Sequence, residues 1–358
     1  MAKLRLSSIN KAFGGVDAVK DFNLTVNDGE FLVLLGPSGS GKTTVLRMVA
    51  GLETPTTGEI FIDDVLVNGK LPKERDVAMV FQNYALYPHL SAYDNISMPL
   101  KSKKLSAEEI DKRIKETAEV LQIGHVLTRK PGQLSGGEQQ RVAVARAVVR
   151  SPKVFLFDEP LSNLDAKLRV TARGFLKRLQ KDLKVTTVYV THDQAEAMTM
   201  ADRMVVMNHG VLQQISEPDR VYREPANMFV ASFVGSPPIN LVPGAIVKAD
   251  GSAKFVAKGN IFEVPVSSDA PQSEEVYLGV RPEDVVVHAK PPKGGWTARV
   301  YLQEPMGSVQ FLTLDVNGTK IVSQTQPNLS VSLNQTVGFS IQHEGVHVFD
   351  AKDGRRMD

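Results

Sequence analysis

The chain has 358 residues, 42% of them hydrophobic and 23% charged, with a formal net charge of +2. That length allows two domains with separate cores, and the composition is that of an ordinary globular protein. The near-neutral balance argues against a polyanion partner, no apolar run approaches the roughly 18 residues of a membrane span, and zero cysteines exclude disulfides and thiolate metal sites.

Residues 1–6 lack the apolar core of a secretory leader and read as a strand. Residues 31–35 are continuously apolar, the pattern of a strand buried on both faces. They run straight into Gly36-Pro37-Ser38-Gly39-Ser40-Gly41-Lys42-Thr43, and residues 44–52 then predict a helix. Residues 106–121 predict an amphipathic helix whose Ser106-Ala107-Glu108-Glu109 opening has the form of a capping box. Ser135, Gly136 and Gly137 precede a helical stretch at 139–149. Residues 154–157 and 188–191 are two further buried strands. This alternation predicts an α/β domain around a mainly parallel sheet, spanning residues 1–235.

The pattern changes near Gly235-Ser236-Pro237-Pro238. Beyond it come short alternating runs and turn signals, which predict a small β-barrel over residues 236–358. Residues 297–303 predict a strand with Ala298, Val300 and Leu302 on one face. Val337, Phe339 and Ile341 alternate in the same way. Asn317-Gly318 between two strand-like runs is a type I′ hairpin signal.

The glycine-rich loop between a buried strand and a helix has the chemistry of a phosphate cradle. Glycines let successive N–H groups point inward, and the helix N-terminus adds partial positive charge. Lys42 can reach the β- and γ-phosphates of a nucleotide, and the Thr43 hydroxyl can ligate Mg²⁺. Asp158 and Glu159 end a buried strand, where ligands gather in α/β sheets. Beside such a loop, Asp158 is expected to hold Mg²⁺ through water, and Glu159 to orient the attacking water. Taken alone, the two carboxylates could equally face solvent or cap a helix. A lone His192 after a strand would more often be structural, and Ser135-Gly136-Gly137 alone is a common loop.

In this order and spacing the residues resemble the ATP-binding cassette (ABC) ATPases, and the resemblance covers the whole chain. It implies a P-loop NTPase cassette with a helical subdomain, followed by an OB-like (TOBE) β domain, with ATP and Mg²⁺ as cofactors. Ser38, Gly39, Ser40, Gly41, Lys42, Thr43 and Thr44 are the implied ATP contacts in one chain. Ser135, Gly136, Gly137 and Glu138 form the signature that closes on ATP held by the opposite chain. Many members have Gln at the position of Glu138, which leaves a hydrogen bond donated by that side chain open. Gln82 becomes the Q-loop glutamine, contacting Mg²⁺ and the γ-phosphate. His192 becomes the switch histidine, and Asp165 belongs to the D-loop at the dimer interface. Phe13 takes the aromatic position that stacks on adenine, the alternative being an ordinary core residue. One copy of each half-site per chain implies that two chains, identical or paralogous, meet head to tail.

Within the family the chain is similar to ATPase subunits of sugar importers, of maltose and glycerol-3-phosphate type. Ala85, Leu86, Tyr87, Pro88 and His89 stand where such subunits dock a permease, and Gly279-Val280-Arg281-Pro282-Glu283-Asp284 resembles the TOBE domain. The implied partners are two transmembrane permease subunits and, indirectly, an extracytoplasmic solute-binding protein. No nucleic acid is implied. The implied location is peripheral, on the cytoplasmic face of the inner membrane. A polyamine or ion importer ATPase is the alternative, and a non-transport ABC ATPase acting on nucleic acid or ribosomes a further one.

Overall fold

The computed structural model describes residues 2–101, 105–249, 252–259, 261–267, 271–293, 295–342 and 345–358. The chain divides into two compact units, Met1–Pro218 and Asp219–Asp358.

The first unit begins with β1 (Leu4–Phe13), β2 (Val16–Val26) and β3 (Phe31–Leu35), followed by α1 (Lys42–Ala50), β4 (Thr57–Ile62), β5 (Val65–Leu66) and β6 (Val77–Val80). Next come α2 (Ala92–Ser97), α3 (Ala107–Val120), α4 (Gly136–Val148), β7 (Val154–Asp158) and α5 (Ala166–Leu183). It ends with β8 (Thr186–Thr191), α6 (Gln194–Met200), β9 (Arg203–Asn208) and β10 (Val211–Ser216). Six strands form one sheet in the order β10-β9-β3-β8-β7-β6. The pairs from β9 through β6 are parallel, and β10 joins antiparallel at the edge. Every residue of β3, β7 and β8 is buried, as expected for strands covered on both faces.

Parallel order brings the C-terminal ends of β3, β7 and β8 to one edge, so the loops after Leu35, Asp158 and Thr191 share it. A second sheet, β2-β1-β4-β5, is antiparallel and was not foreseen from the sequence. Its β1 carries a bulge between Leu6 and Ile9, with Ser8 at φ 46°. The extra residue shifts the side-chain parity, so Leu4, Leu6 and Ile9 all enter the core and no simple alternation remains.

Helix α3 forms as predicted. Ser106 accepts from the Glu109 N–H and Glu109 accepts from the Ser106 N–H, which completes the capping box. Helix α1 starts two residues earlier than predicted, because left-handed Gly41 (φ 99°) makes the turn into it.

The second unit takes in the residues after Pro218, so 219–235, assigned to the first domain from sequence, pack with the β region. Arg281 accounts for this. Its buried guanidinium donates to the carbonyls of Tyr222, Ala231 and Val234. Helices α7 (Pro218–Arg223) and α8 (Met228–Phe233) are thereby tied to the strands.

Those strands are β11 (Asn240–Ala249), β12 (Ser252–Ala257), β13 (Glu263–Val266), β14 (Ser273–Val280) and β15 (Val285–His288), then β16 (Trp296–Pro305), β17 (Gln310–Val316), β18 (Thr319–Thr325), β19 (Thr336–Ile341) and β20 (Val346–Asp350). They make two five-stranded antiparallel sheets, β13-β12-β11-β14-β20 and β15-β19-β16-β17-β18. The second curls until its ends approach, where the Ser323 hydroxyl of β18 donates to the Val285 carbonyl of β15. Buried Asn240 joins the two sheets, donating to the Val280 and Val322 carbonyls and accepting from the Val322 N–H.

Asn317 and Gly318 turn between β17 and β18, both at positive φ, as the I′ signal required. Val337, Phe339 and Ile341 are buried together. Leu302 is not: a register shift between Val300 and Leu302 turns it outward, 42% exposed, while Ala298 and Val300 stay in the core.

Candidate active site

The loop after β3 closes tightly. A Cβ on Gly36 would lie 2.4 Å from the Met207 carbonyl oxygen, and one on Gly41 would lie 2.5 Å from that of Ala18. Gly39 (φ 77°) and Gly41 are left-handed, which no β-branched or bulky residue adopts cheaply. Ser40 is buried, while Ser38 and Gly39 are exposed at the loop's crest. Lys42 and Thr43 open α1, with Thr44 in the same first turn.

The Lys42 ammonium donates to the carbonyls of Gly36 and Pro37, each at 2.8 Å, and lies 3.4 Å from Ser40 Oγ. Burial holds its pKa below the usual lysine range, although Glu159 and Asp158 pull it upward. Thr43 Oγ1 donates to Asp158 Oδ1 at 2.9 Å. Burial pushes the Asp158 carboxyl above the ordinary carboxylate range, against the Thr43 hydrogen bond. An ammonium and a carboxylate are each held where their charge is unfavourable, a common mark of a functional site.

Glu159, the next residue, stands at φ 47°. That left-handed backbone costs on the order of 1 kcal/mol for a residue with a Cβ. Two backbone bonds hold it there: its N–H donates to the Val190 carbonyl at 3.0 Å, and its carbonyl accepts from Ser162 Oγ at 2.9 Å. The bend sends its carboxylate off the end of the sheet. Glu159 Oε2 lies 3.1 Å from His192 Nδ1 and 3.5 Å from Gln82 Nε2. Asn163 donates to the Gln82 carbonyl at 2.8 Å, joining the loop after β7 to the loop after β6. The Gln82, Glu159 and His192 predicted from three separate stretches therefore meet at one place, beside the Thr43–Asp158 pair.

Ser135 caps α4 and Gly136 and Gly137 form its first turn, so the helix starts three residues before the predicted 139. The extra turn arises because Glu138 completes a capping box: its Oε2 accepts from the Ser135 N–H at 2.8 Å and from the Ser135 hydroxyl at 2.7 Å. His125 Nε2 lies 3.3 Å from Oε1. The Ser135 hydrogen bonds lead in lowering the Glu138 pKa, which keeps it an acceptor. Asp165 caps α5, accepting from the Leu168 N–H. Phe13, at the end of β1, is 47% exposed with the Lys11 ammonium 4.6 Å from its ring centroid, so it is not a core residue.

Of residues 85–89, Ala85 and Tyr87 line a separate groove of about 560 Å³, together with Leu52, Met98, Arg146 and Arg150 among others. Tyr84 (φ 60°) and Ala85 (φ 46°) are both left-handed, and Arg146 of α4 donates to both carbonyls, at 2.9 and 2.7 Å. Fully buried Asn95 holds the next stretch, accepting from the Tyr87 N–H and donating to the Tyr87, Leu90 and Ser91 carbonyls. Leu86 is half-buried, whereas Tyr87, Pro88 and His89 are exposed. Arg146 and Asn95 were missed from sequence. Nothing in their spacing tells a backbone-clamping side chain from a solvated or core one.

The oxygens of Thr43 and Asp158 suit a hard cation, which takes oxygen ligands. Among the described residues no group of three or more His, Cys, Asp or Glu could hold a metal ion unaided. The donor set therefore fits Mg²⁺ shared with substrate phosphates and water, the usual way that ion is held.

Comparison with known proteins bears on the whole chain. The profile described as ABC transporter matches residues 19–162, that of the MalK OB fold domain residues 235–285, and that of the TOBE domain residues 278–349. The chain is 49% identical to the trehalose/maltose import ATP-binding protein MalK of Thermococcus litoralis, over the full length of both. It is 44% identical to the sn-glycerol-3-phosphate import ATP-binding protein UgpC of Psychromonas ingrahamii, covering all of this chain and 96% of the other. Among solved structures it is similar to the dimeric post-hydrolysis state of the ATP-binding cassette MJ0796 bound to ADP and Pi. There the TM-score is 0.55 and the identity 35%, over 60% of this chain and 98% of that one.

Proposed function

Because the chain belongs to the ABC transporter ATPases of the MalK/UgpC type, we propose that it is the ATP-hydrolysing subunit of an importer taking up a carbohydrate or polyol. The observation that carries the reading is the meeting of Glu159, His192 and Gln82 at the sheet edge that also holds the Lys42 loop.

In this reading the loop N–H groups and Lys42 bind the β- and γ-phosphates of ATP, and Phe13 stacks on the base. Thr43, Asp158 and Gln82 would hold a Mg²⁺ ion there, which would supply positive charge to offset the charge developing on the phosphates. The phosphates bring Lys42 the counter-charge that its burial denies it, and the cation would do the same for Asp158. Glu159 accepts a hydrogen bond from the attacking water and aligns it with the γ-phosphorus. His192 holds the Glu159 carboxylate in that direction. Catalysis is then mainly positioning and electrostatics.

Ser135, Gly136 and Gly137 reach the γ-phosphate held by a second chain, so two ATP molecules are sandwiched in a head-to-tail dimer. Glu138 aims the Ser135 hydroxyl through the capping box. Two permease subunits dock on the groove at Ala85, Leu86, Tyr87, Pro88 and His89. No helix among the described residues is long and apolar enough to cross a membrane. In this reading attachment to the cytoplasmic face is peripheral, through the permeases, with a solute-binding protein acting from the other side.

The test is to recover tagged Glu159→Gln protein from native membranes with ATP present and identify the chains that accompany it. A pair of sugar-type permeases is expected, and a second ATPase band would identify a heterodimer. Recovery only from the soluble fraction with nucleic acid or ribosomes would overturn the importer reading.

A further inference from the structure

Arg169 lies in the first turn of α5, outside every motif that suggested the site. Its guanidinium reaches two different loops. One nitrogen, Nη2, donates to the Leu164 carbonyl at 3.1 Å, and the other, Nη1, meets Asp193 Oδ2 at 3.3 Å. The Nε is buried with no partner. A buried N–H left unpaired is unfavourable, which argues that the side chain is held by its two outer contacts.

Both contacts flank the reacting groups. Leu164 sits between Asn163, which holds the Gln82 loop, and Asp165, which caps α5. Asp193 directly follows His192. Its other oxygen, Oδ1, caps α6 by accepting from the Ala195 and Glu196 N–H groups, and its own N–H donates to Thr191 Oγ1. Thr191 in turn donates to buried Glu196, which also accepts from the Tyr189 hydroxyl. His192 is thus an exposed side chain between Thr191 and Asp193, both held by hydrogen bonds. The remaining Asp193 oxygen, Oδ2, meets Arg169.

We propose that Arg169 is a positioning residue that fixes the His192 loop to the loop at residues 162–165, so that His192 meets Glu159 only while both loops are in register. This rests on the ATPase reading above. The planar fork is suited to spanning a carbonyl and a carboxylate at once, whereas a lysine ammonium on a flexible stem is not pre-organised to do so. If residues 162–165 shift on contact with a second chain, Arg169 carries that shift to His192 without touching nucleotide.

The test is steady-state ATP hydrolysis by the full chain, with Glu159→Gln as the control for the ATPase reading. If the wild-type protein does not hydrolyse ATP above that control, the ATPase reading itself fails. Given wild-type turnover, Arg169→Ala is expected to lower kcat by about tenfold or more with KM for ATP within about twofold, because misplacement of a supporting group acts on turnover. Asp193→Asn keeps a cap for α6 but loses the charge, and should lower kcat to a similar degree. The double variant should fall no further than the worse single one, since both changes break one link. Arg169→Lys retains charge and stem and serves where Arg169→Ala does not fold; it too should lose kcat at unchanged KM. A kcat within about twofold of wild type in Arg169→Lys and in folded Arg169→Ala would overturn the proposal, as would losses that multiply in the double variant.

Discussion

His192 Nδ1 lies 3.1 Å from Glu159 Oε2, although 33 residues separate them and they leave different strands. Parallel pairing of β7 with β8 sets the distance, and the left-handed turn at Glu159 sets the direction. Replacing Glu159 by Gln keeps the size and the contact with His192 but removes the acceptor charge. ATP affinity and ATP-driven dimerisation should survive, while turnover falls by about a hundredfold or more, the scale of a lost general base. Single-turnover hydrolysis alongside nucleotide binding measures both, and normal turnover would remove Glu159 from its role.

Lys42→Ala acts one step earlier. It takes the cation from the phosphate loop and leaves the Gly36 and Pro37 carbonyls without their donor. ATP affinity should drop by about tenfold or more, consistent with the loss of a charge-assisted bond. Equilibrium binding of a fluorescent ATP analogue reads this directly, and wild-type affinity would count against the loop assignment.

Glu138 serves the fold of the signature as an acceptor. Glu138→Gln retains an acceptor oxygen and should leave turnover within about threefold of wild type, whereas Glu138→Ala removes the whole side-chain half of the capping box, costing about 1 kcal/mol at the start of α4. Turnover should then fall in Glu138→Ala because the Ser135 hydroxyl loses its direction. Equal activity in the two variants would show that the cap has no part in orienting Ser135.

Asp358 provides a pH test in the second unit. Burial alone would raise its pKa, but His347, the Val348 N–H and the Arg356 guanidinium together bring it down to about 2. A folded value below the ordinary 3.8 means that the unfolded chain binds the proton more readily. The stabilisation, about 2 kcal/mol by linkage, is therefore complete above the ordinary value and is lost as pH falls toward 2. Asp358→Asn should lower the urea midpoint at pH 7, and its deficit against wild type should shrink below about pH 4. A deficit independent of pH would mean that packing, and not charge, holds this residue.

Tyr87→Ala should remove an exposed ring from the groove edge while leaving the sheet edge untouched. Co-purification with the permeases should weaken by about tenfold, the size of effect expected for an aromatic anchor, with nucleotide binding unchanged. Undiminished co-purification would move the docking site elsewhere.

The chemistry was largely legible in the chain because it depends on local order. A continuously apolar strand, a glycine loop and a helix specify a phosphate cradle by adjacency alone, and the Val154-to-Glu159 stretch specifies two carboxylates at a buried strand end. The capping box at Ser106 and the hairpin at Asn317-Gly318 are likewise four- and two-residue events, and both stand as read. What sequence could not supply is anything requiring two distant segments to meet. Which strands lie side by side decided that Gln82, Glu159 and His192 converge. Bulges in β1 and β16 reversed side-chain parity, hiding the antiparallel β2-β1-β4-β5 sheet and turning Leu302 outward. Arg281 drew residues 219–235 into the second unit, and Arg146 and Arg169 clamp backbone far from their own positions. A long cation's role depends on the acceptors within its reach, and only the folded chain brings those acceptors there.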